Sequence, residues 1–336
     1  MNIQRAFNIS GVGKFLPARA VSSSEIEKEL GLPASWVEKN IGVETRYVVK
    51  NETNTSMAVA ALKSALDDAQ MKISDLDCII GASASFDYII PNRSTMIKNA
   101  FTEADDLDFP CFDINTVCTS FMTAVDYASY LFSSGEYQNI AIVSSEISSK
   151  GLFKERVETY SLFGDGAAAV ILSKTDCRAG LITYSLKTYA SGAKATIIEG
   201  GGSLNHPRDT PYDAGLYSFK MDGKKLLRLA KNKLPKFFVD FFNQAKIQMA
   251  DVDWIIPHQA SKLGLRMLTQ MNGGKTSNIV NYLSRYGNCI AASVPLAFVT
   301  AIEEGKIKDG QTCMFIGTAA GISISGLMLK YSKSCS

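Results

Sequence analysis

Two stretches of the chain, KISDLDCIIGASAS at residues 72–85 and QMADVDWIIPHQAS at residues 248–261, resemble each other. Each has the pattern of a helix end, an Asp-rich turn, a buried strand and a polar loop. The matching residues are Asp75, Asp77, Ile79, Ile80, Ala84 and Ser85 in the first stretch and Asp251, Asp253, Ile255, Ile256, Ala260 and Ser261 in the second. A repeat of this kind predicts an internal duplication.

The repeat continues into two helices rich in small residues. CTSFMTAVDYASYLFSSGEY at residues 118–137 can be laid over NCIAASVPLAFVTAIEEGKI at residues 288–307, and a glycine stop and an apolar strand follow in each. Strands that alternate with helices in both halves predict an α/β fold with mostly parallel sheets. We place the two halves at residues 1–173 and 174–336.

Composition excludes several classes of protein. The formal charge of +2 over 336 residues argues against general nucleic-acid binding. No apolar run is long enough to span a bilayer, and the N-terminal sequence lacks the apolar region of a signal peptide. The seven cysteines are scattered without a CxxC pair, which argues against a disulfide framework or a zinc site. These features predict a cytoplasmic protein.

Cys118 stands where the strand-like run FPCFDIN gives way to a helical run. We therefore expect Cys118 in the first turn of a helix, where backbone N–H groups and the helix dipole favour a thiolate. A nucleophile occupies such a position, but a small cysteine also packs there in a buried core. On these residues alone, both interpretations stay open.

His258 and Asn288 have positions related to that of Cys118. The repeat places Cys118 opposite Asn288, and His258 directly follows the buried strand DWIIP. Loops at the carboxyl ends of strands, together with helix N-termini, form the ligand crevice of α/β sheets, so the three residues can meet there. Taken alone, His258 is more often structural and Asn288 more often a turn residue. Their convergence favours a catalytic site.

The motifs that surround these residues are similar to those of a known family. DINTVCTSF resembles its nucleophile region, LFGDGAAAVIL its glycine signature, and IIPHQAS and RYGNCIAASVPLAF its histidine and asparagine motifs. SSEIEKELGLPASWVEKNIGVETR resembles its N-terminal segment. On these motifs, in this order, the chain is identified as similar to β-ketoacyl-acyl carrier protein synthase III, of the thiolase superfamily.

The resemblance implies a five-layered αβαβα thiolase-like fold, made of two duplicated halves and assembled as a homodimer. It implies that Cys118 takes an acyl group from a thioester, and that the backbone N–H groups of Cys118 and Ala320 form the oxyanion hole. His258 and Asn288 then hold the carbonyl of a malonyl thioester while it loses carbon dioxide. The resulting carbanion attacks the acyl group and gives a 3-ketoacyl thioester, without a metal or redox cofactor.

The resemblance also implies partners and a pocket. Coenzyme A or the phosphopantetheine of an acyl carrier protein brings the substrates, and Ile90, Phe163 and Trp36 line the substrate pocket. The basic run of residues 224–236 suits an acidic carrier protein, but such a run is also typical of a solvated helix face. The expected docking residues are Lys224, Lys225, Arg228 and Lys262.

Several positions depart from the housekeeping members of the family. Asn40 stands where they have an arginine that contacts coenzyme A, and SKL at residues 261–263 replaces Asn, an apolar residue and Arg. Their closing GAGxTWG becomes AAGISIS at residues 319–325, and Ile90 replaces an aromatic residue. These changes favour a specialised relative with another acyl donor, in fatty-acid or secondary-metabolite synthesis. Ile90 predicts a deeper acyl pocket than an acetyl-using enzyme has.

Three other functions compete with this one. A Cys-His-Asn set also serves papain-like proteases, but the glycine- and tryptophan-rich surroundings of their cysteine are missing here. An acyltransferase of the same fold moves the acyl group to an alcohol or amine without condensation. Such enzymes often alter the asparagine, which is present here as Asn288. A catalytically silent binding protein is the third alternative, and the three intact residues argue against it.

Overall fold

The computed structural model describes residues 3–334. The strands are β1 (Arg5–Phe15), β2 (Arg19–Ser22), β3 (Thr45–Val48), β4 (Cys78–Ala82), β5 (Cys111–Ile114), β6 (Asn139–Glu146), β7 (Gly166–Lys174), β8 (Gly180–Thr188), β9 (Thr196–Ile197), β10 (Lys220–Met221), β11 (Trp254–Pro257), β12 (Thr312–Ala319) and β13 (Ser323–Lys330). The helices are α1 (Ser23–Leu30), α2 (Trp36–Asn40), α3 (Asn54–Ala69), α4 (Arg93–Asn99), α5 (Ser120–Leu131), α6 (Val157–Leu162), α7 (Gly223–Ala245), α8 (Lys262–Met271), α9 (Leu283–Tyr286) and α10 (Ser293–Glu303).

Nine strands hydrogen-bond in the order β11-β12-β13-β8-β1-β7-β6-β4-β5. Parallel pairing is confined to β4 with β5 and β6, and to β11 with β12. The remaining pairs are antiparallel, so the expected mostly parallel sheets are wrong. The physical reason lies in the connections. β12 and β13 are joined by a tight turn, and such a short link can only join antiparallel neighbours.

The helices and the two ends of this sheet form alternating layers. Helix α3 packs on β1, β6 and β7, and α7 packs on β8 and β13 at the opposite outer face. Helices α5 and α10 lie between the two halves, within the largest hydrophobic core, which includes Phe121, Phe298 and Phe315. Outer cores under α3 and under α7 complete a helix-sheet-helix-sheet-helix sandwich.

The two halves share local hydrogen bonds that define how they correspond. The Asn115 side chain accepts a hydrogen bond from the amide of Val117 at 2.9 Å, and the Asn288 side chain accepts the same bond from Ile290 at 2.9 Å. Asn115, rather than Cys118, is therefore the counterpart of Asn288, and the register expected from the sequence is wrong by three residues. Small residues at adjacent helical positions make several registers look alike, whereas the hydrogen bonds distinguish them.

None of the helices within residues 3–334 has the length and apolar character that a membrane crossing requires. Cys78, Cys111, Cys118, Cys289 and Cys313 are free thiols, whereas Cys177 takes part in a disulfide. A single disulfide does not make a disulfide framework. It does show that the scattered spacing of the cysteines is compatible with one disulfide bond. The division at residues 173 and 174 and the cytoplasmic location stay predictions.

Candidate active site

Cys118 lies in a short 3-10 helix, Val117–Thr119, directly ahead of α5. Cys118 thus lies in the first helical turn, as the sequence predicted, and this turn is of the 3-10 type. Val117 has a φ of 56°, an uncommon conformation for a β-branched residue. The Ser120 hydroxyl stabilises this turn, since it accepts from the amide of Thr116 at 3.0 Å and donates to the carbonyl of Val117 at 2.6 Å. The strained backbone holds Cys118 at the cavity.

Burial raises the pKa of the Cys118 thiol from its ordinary value of 9.0 to about 12. The Glu146 carboxylate adds to the increase, whereas the backbone N–H groups of Ala320 and Cys118 oppose it by pointing at the sulfur. The resting group is therefore a thiol at neutral pH, contrary to the expected thiolate. Desolvation outweighs the favourable N–H groups, because a charged sulfur loses its water in this position.

His258 directly follows β11, and its amide donates to the carbonyl of Ile316 at 2.8 Å. Only 6% of the residue is exposed, and burial lowers the pKa of its imidazole from 6.5 to about 4. The ring is therefore neutral at pH 7 and carries one N–H. Its Nδ1 has no hydrogen-bond partner among the described residues. Gly317 leaves room for the ring, since a Cβ there would lie 3.0 Å from the Cβ of His258.

Asn288 is held by the turn that precedes it. Gly287 has a φ of +67°, and a Cβ there would lie 2.4 Å from the carbonyl oxygen of Leu162. The Asn288 amide donates to the same carbonyl at 2.9 Å. Its side-chain Oδ1 accepts from the amide of Ile290, so the donor end of the side chain, Nδ2, faces the cavity region beside Ala260. The arrangement supplies a hydrogen-bond donor rather than an acceptor.

A cavity of about 1320 Å³ brings these groups together. Cys118, His258 and Asn288 all line it, and so does Ala320. The structure thus brings together the residues that the sequence predicted for one site, and their catalytic roles stay predictions. The lining is largely apolar, and α7, α8 and the loop after β4 all contribute to it.

The other predicted site residues lie in different places. Phe163 lines the cavity, but Trp36 packs against the N-terminal hydrophobic core and does not. Ile90 does not line the cavity of this chain either. It is 85% exposed, on the loop after β4, and its predicted role concerns the tunnel of a partner subunit. Ile89 lines the cavity instead.

The predicted docking residues are also divided. Lys224 is exposed and lines the cavity, whereas Lys225 and Arg228 lie outside the lining. The Lys262 ammonium donates to the carbonyls of Lys39 at 2.8 Å and Glu38 at 3.3 Å. These bonds connect α8 to the end of α2, so the Lys262 ammonium already has hydrogen-bond partners within the chain and is less available to a docking partner.

Glu146 supports the site from behind the cavity lining, and the sequence analysis missed it. Its carboxylate is fully buried and accepts from the amides of Ala84 and Ser85 at 2.6 and 2.9 Å. It therefore anchors the loop that carries Phe86 and Ile89 into the cavity. The feature of the sequence that could have indicated its role is its charge at the end of the apolar strand NIAIVSSE.

Among residues 3–334, no three metal-ligating side chains cluster closely enough to hold a metal ion. The groups at the site are thus a thiol, a neutral imidazole, a primary amide and backbone N–H groups. Together they can form a thioester at Cys118 and donate hydrogen bonds to a developing oxyanion.

Comparison with known proteins identifies the family. β-Ketoacyl-[acyl-carrier-protein] synthase III of Neisseria gonorrhoeae is 31% identical over 324 residues, which cover 96% of this chain and 98% of that protein. The chain belongs to the β-ketoacyl-[acyl-carrier-protein] synthase III family. Family profiles of 3-oxoacyl-[acyl-carrier-protein] synthase III match residues 112–201, and those of its C-terminal part match residues 242–331. The synthase III of Rickettsia bellii is 30% identical over 326 residues, with 96% and 99% coverage.

Solved structures give the same result for the fold. The synthase III of Aquifex aeolicus has a TM-score of 0.87 at 25% identity, covering 97% of this chain and 100% of that one. A priming β-ketosynthase of the R1128 polyketide pathway has a TM-score of 0.87 at 23% identity, with 98% coverage of each chain. The thiolase-like fold and the ketosynthase class predicted from the sequence are therefore confirmed.

Proposed function

We propose that this synthase III family member condenses an acyl thioester with a malonyl thioester and releases a 3-ketoacyl thioester and carbon dioxide. The observation that carries the proposal is the meeting of Cys118, His258 and Asn288 on one cavity. A nucleophile and two hydrogen-bond donors of these kinds serve the two half-reactions in turn.

In the first half-reaction, Cys118 attacks the acyl carbonyl and the thiol of the carrier leaves. The sulfur must lose its proton as the new C–S bond forms, because burial keeps it protonated beforehand. The departing thiolate takes up one proton, so the charge balances. The N–H groups of Cys118 and Ala320, which point at the sulfur, are suitably placed to stabilise the oxyanion.

In the second half-reaction, a malonyl thioester places its carbonyl oxygen against His258 and Asn288. Neutral His258 has one N–H to donate, and the Asn288 Oδ1 is already engaged, which directs Nδ2 to the substrate. Loss of carbon dioxide leaves an enolate on that oxygen. Its carbon attacks the acyl group, the C–S bond to Cys118 breaks, and the thiol is restored.

The carriers that we propose are coenzyme A for the starter and an acyl carrier protein for the malonyl group. Arg156 and the exposed Lys224 line the cavity, and such cations suit the phosphates of both carriers. We also propose a homodimer. The loop after β4 exposes Phe86, Ile89 and Ile90 by 52%, 73% and 85%, an apolar surface typical of a subunit interface.

The alternative is transfer of the acyl group to an alcohol or amine without condensation. It needs Cys118 but has no use for two donors directed at a second thioester carbonyl. The fixed orientation of Asn288 therefore favours condensation.

Intact-mass spectrometry with a panel of acyl thioesters tests the first half-reaction. The wild type should gain one acyl unit and Cys118→Ala none, and an adduct mapped to Cys111 or Cys289 would contradict the assignment. His258→Ala and Asn288→Ala should still become acylated at Cys118. Their release of carbon dioxide from malonyl thioester should be slower by about a hundredfold or more. Condensation by both variants near the wild-type rate would exclude the mechanism.

A further inference from the structure

The cavity has an apolar arm that the proposed reaction with malonyl thioester does not use. We give this name to the part of the cavity next to the second half of α7 and to α8, where the lining residues Leu234, Phe238, Met267, Leu268 and Met271 are apolar. A second hollow of about 310 Å³ shares Leu234, Met267 and Met271 with it and adds Lys231, Pro235 and Gln270. The lining thus continues from the buried part of the cavity to the surface between the two helices.

The arm starts on the histidine side of the site. Pro257, the residue before His258, lines the cavity together with Ile316 of the neighbouring strand β12. Helix α8 begins only four residues after His258. On the cysteine side, Phe86 and Ile89 line the cavity from the loop after β4. Strand β4 pairs with β5, and β5 precedes Cys118 in the chain. Apolar side chains therefore line the cavity on both the histidine side and the cysteine side.

The cavity is larger than a malonyl group by itself requires. Its volume of about 1320 Å³ exceeds the roughly 300–1,000 Å³ of ordinary small-molecule pockets. The acyl chain on Cys118 has the wall of Phe86 and Ile89 available. A malonyl group, which is short and charged, gains nothing from the thioether and hydrocarbon side chains between α7 and α8.

We propose that the arm between α7 and α8 binds a hydrocarbon chain carried by the extender thioester on its reacting carbon. The proposal rests on the proposed function and names the class of its second substrate, a 2-alkylmalonyl thioester. His258 and Asn288 hold the carbonyl, and the 2-alkyl chain enters the arm. Loss of carbon dioxide and attack on the acyl-Cys118 form one C–C bond and break the C–S bond, which gives a 2-alkyl-3-ketoacyl thioester.

A binding measurement tests the arm independently of condensation. On Cys118→Ala, which cannot be acylated, calorimetry compares malonyl-coenzyme A with 2-hexylmalonyl-coenzyme A. Each methylene buried in an apolar arm improves affinity about fourfold, so the hexyl compound should bind at least tenfold more tightly. In the same Cys118→Ala background, Met271→Trp should fill the arm and remove this difference in affinity, without weakening the binding of malonyl-coenzyme A.

Arg266→Trp is the matched control, because Arg266 is exposed on the same helix and lines neither the cavity nor the hollow. It should leave the hexyl advantage unchanged. Leu234→Trp, which enters the arm from α7, repeats the test if thermal denaturation shows that Met271→Trp is unfolded. Equal affinity for the two compounds, or a hexyl advantage that survives both arm-filling variants, would overturn the proposal.

Turnover by otherwise wild-type protein separates the two proposals. With preformed acyl-Cys118, kcat/KM for 2-hexylmalonyl thioester should be at least that for malonyl thioester, and Met271→Trp should lower only the hexyl value, by tenfold or more. Condensation of malonyl thioester alone supports the proposed function and overturns the arm. Selective hexyl binding without any condensation supports the arm and overturns the proposed function.

Discussion

Burial and charge set the protonation of the two titratable groups at the site. Cys118 is held as a thiol because its sulfur is desolvated and lies near the Glu146 carboxylate. His258 is held as a neutral ring because burial disfavours the imidazolium. Neither group is charged at rest, so the proposed reaction begins without a thiolate-imidazolium pair, and the proton on sulfur leaves only as the acyl group arrives.

The pKa of Cys118, about 12, predicts how its reactivity depends on pH. Only the thiolate is alkylated, so the rate of iodoacetamide reaction at Cys118 should rise about tenfold per pH unit from pH 7 to pH 9. Peptide mapping resolves Cys118 from the other thiols. A plateau below pH 8 would contradict the protonated resting state.

His258 should make stability depend on pH between about 4 and 6.5. The unfolded histidine binds a proton below its ordinary pKa of 6.5, whereas the folded one resists protonation down to about 4. Stability is therefore complete above pH 6.5 and is lost as the pH falls. The loss from this group at pH 5 is about 2 kcal/mol relative to pH 7.

Urea denaturation of the wild type and His258→Gln at both pH values checks this prediction. The wild type should lose about 2 kcal/mol more than the variant between pH 7 and pH 5, since all other titrating groups are shared. Parallel losses in the two proteins would show that the ring is accessible to solvent.

At the scale of elements, the turn between α9 and α10 positions a catalytic side chain through the backbone. Gly287 adopts a left-handed φ and approaches the carbonyl of Leu162, where a Cβ would lie at 2.4 Å. Gly305 has almost the same φ, +68°, but nothing lies within 4 Å of a Cβ there. Gly287 also has a ψ of −158°, a combination that is essentially restricted to glycine, so an alanine there meets backbone strain as well as the clash.

Gly287→Ala should lower the free energy of unfolding by about 2–4 kcal/mol, and Gly305→Ala by about 1 kcal/mol. The additional clash at Gly287 must move Asn288, so Gly287→Ala should also lose decarboxylation while acylation of Cys118 persists. Chemical denaturation, intact mass and carbon dioxide release measure the three effects. Equal stability losses would exclude the close approach as the constraint on Gly287.

At the scale of the whole molecule, the loop after β4 connects the site with the proposed interface. Phe86 and Ile89 line the cavity of their own chain, whereas Ile90 points outward and is 85% exposed. In a homodimer, Ile90 is available to close the acyl tunnel of the partner. The substrate range would then depend on assembly as well as on the chain.

Ile90→Phe should shift the acyl preference of Cys118 toward shorter chains, by about 10- to 200-fold in kcat/KM per excluded methylene. The wild type should prefer acyl groups longer than acetyl. Val239→Phe, at another exposed aliphatic residue, should leave the profile unchanged. Ile90→Asp should reduce dimerisation in size-exclusion chromatography and activity with it. A wild type restricted to acetyl, or a profile unaffected by Ile90→Phe, would contradict this account.

The sequence by itself determined the duplicated α/β architecture, and it named Cys118, His258 and Asn288 as candidates that the structure places on one cavity. Apolar periodicity reports which segments are strands and helices, and the motif order places His258 after a strand and Cys118 and Asn288 near the starts of helices. It could not determine the direction of most strand pairs, because pairing depends on contacts distant in the chain. Nor could it distinguish Asn115 from Cys118 as the counterpart of Asn288.

Only the tertiary structure decided the protonation of the site and the shape of its cavity. The helix-dipole argument for a Cys118 thiolate is local, whereas the desolvation that defeats it comes from every element packed around the sulfur. Similarly, Leu234 and Met271 belong to apolar helix faces in the sequence, and only the tertiary structure brings these faces to one cavity. The burial of a residue depends on contacts from the whole fold, so no local sequence pattern reports it.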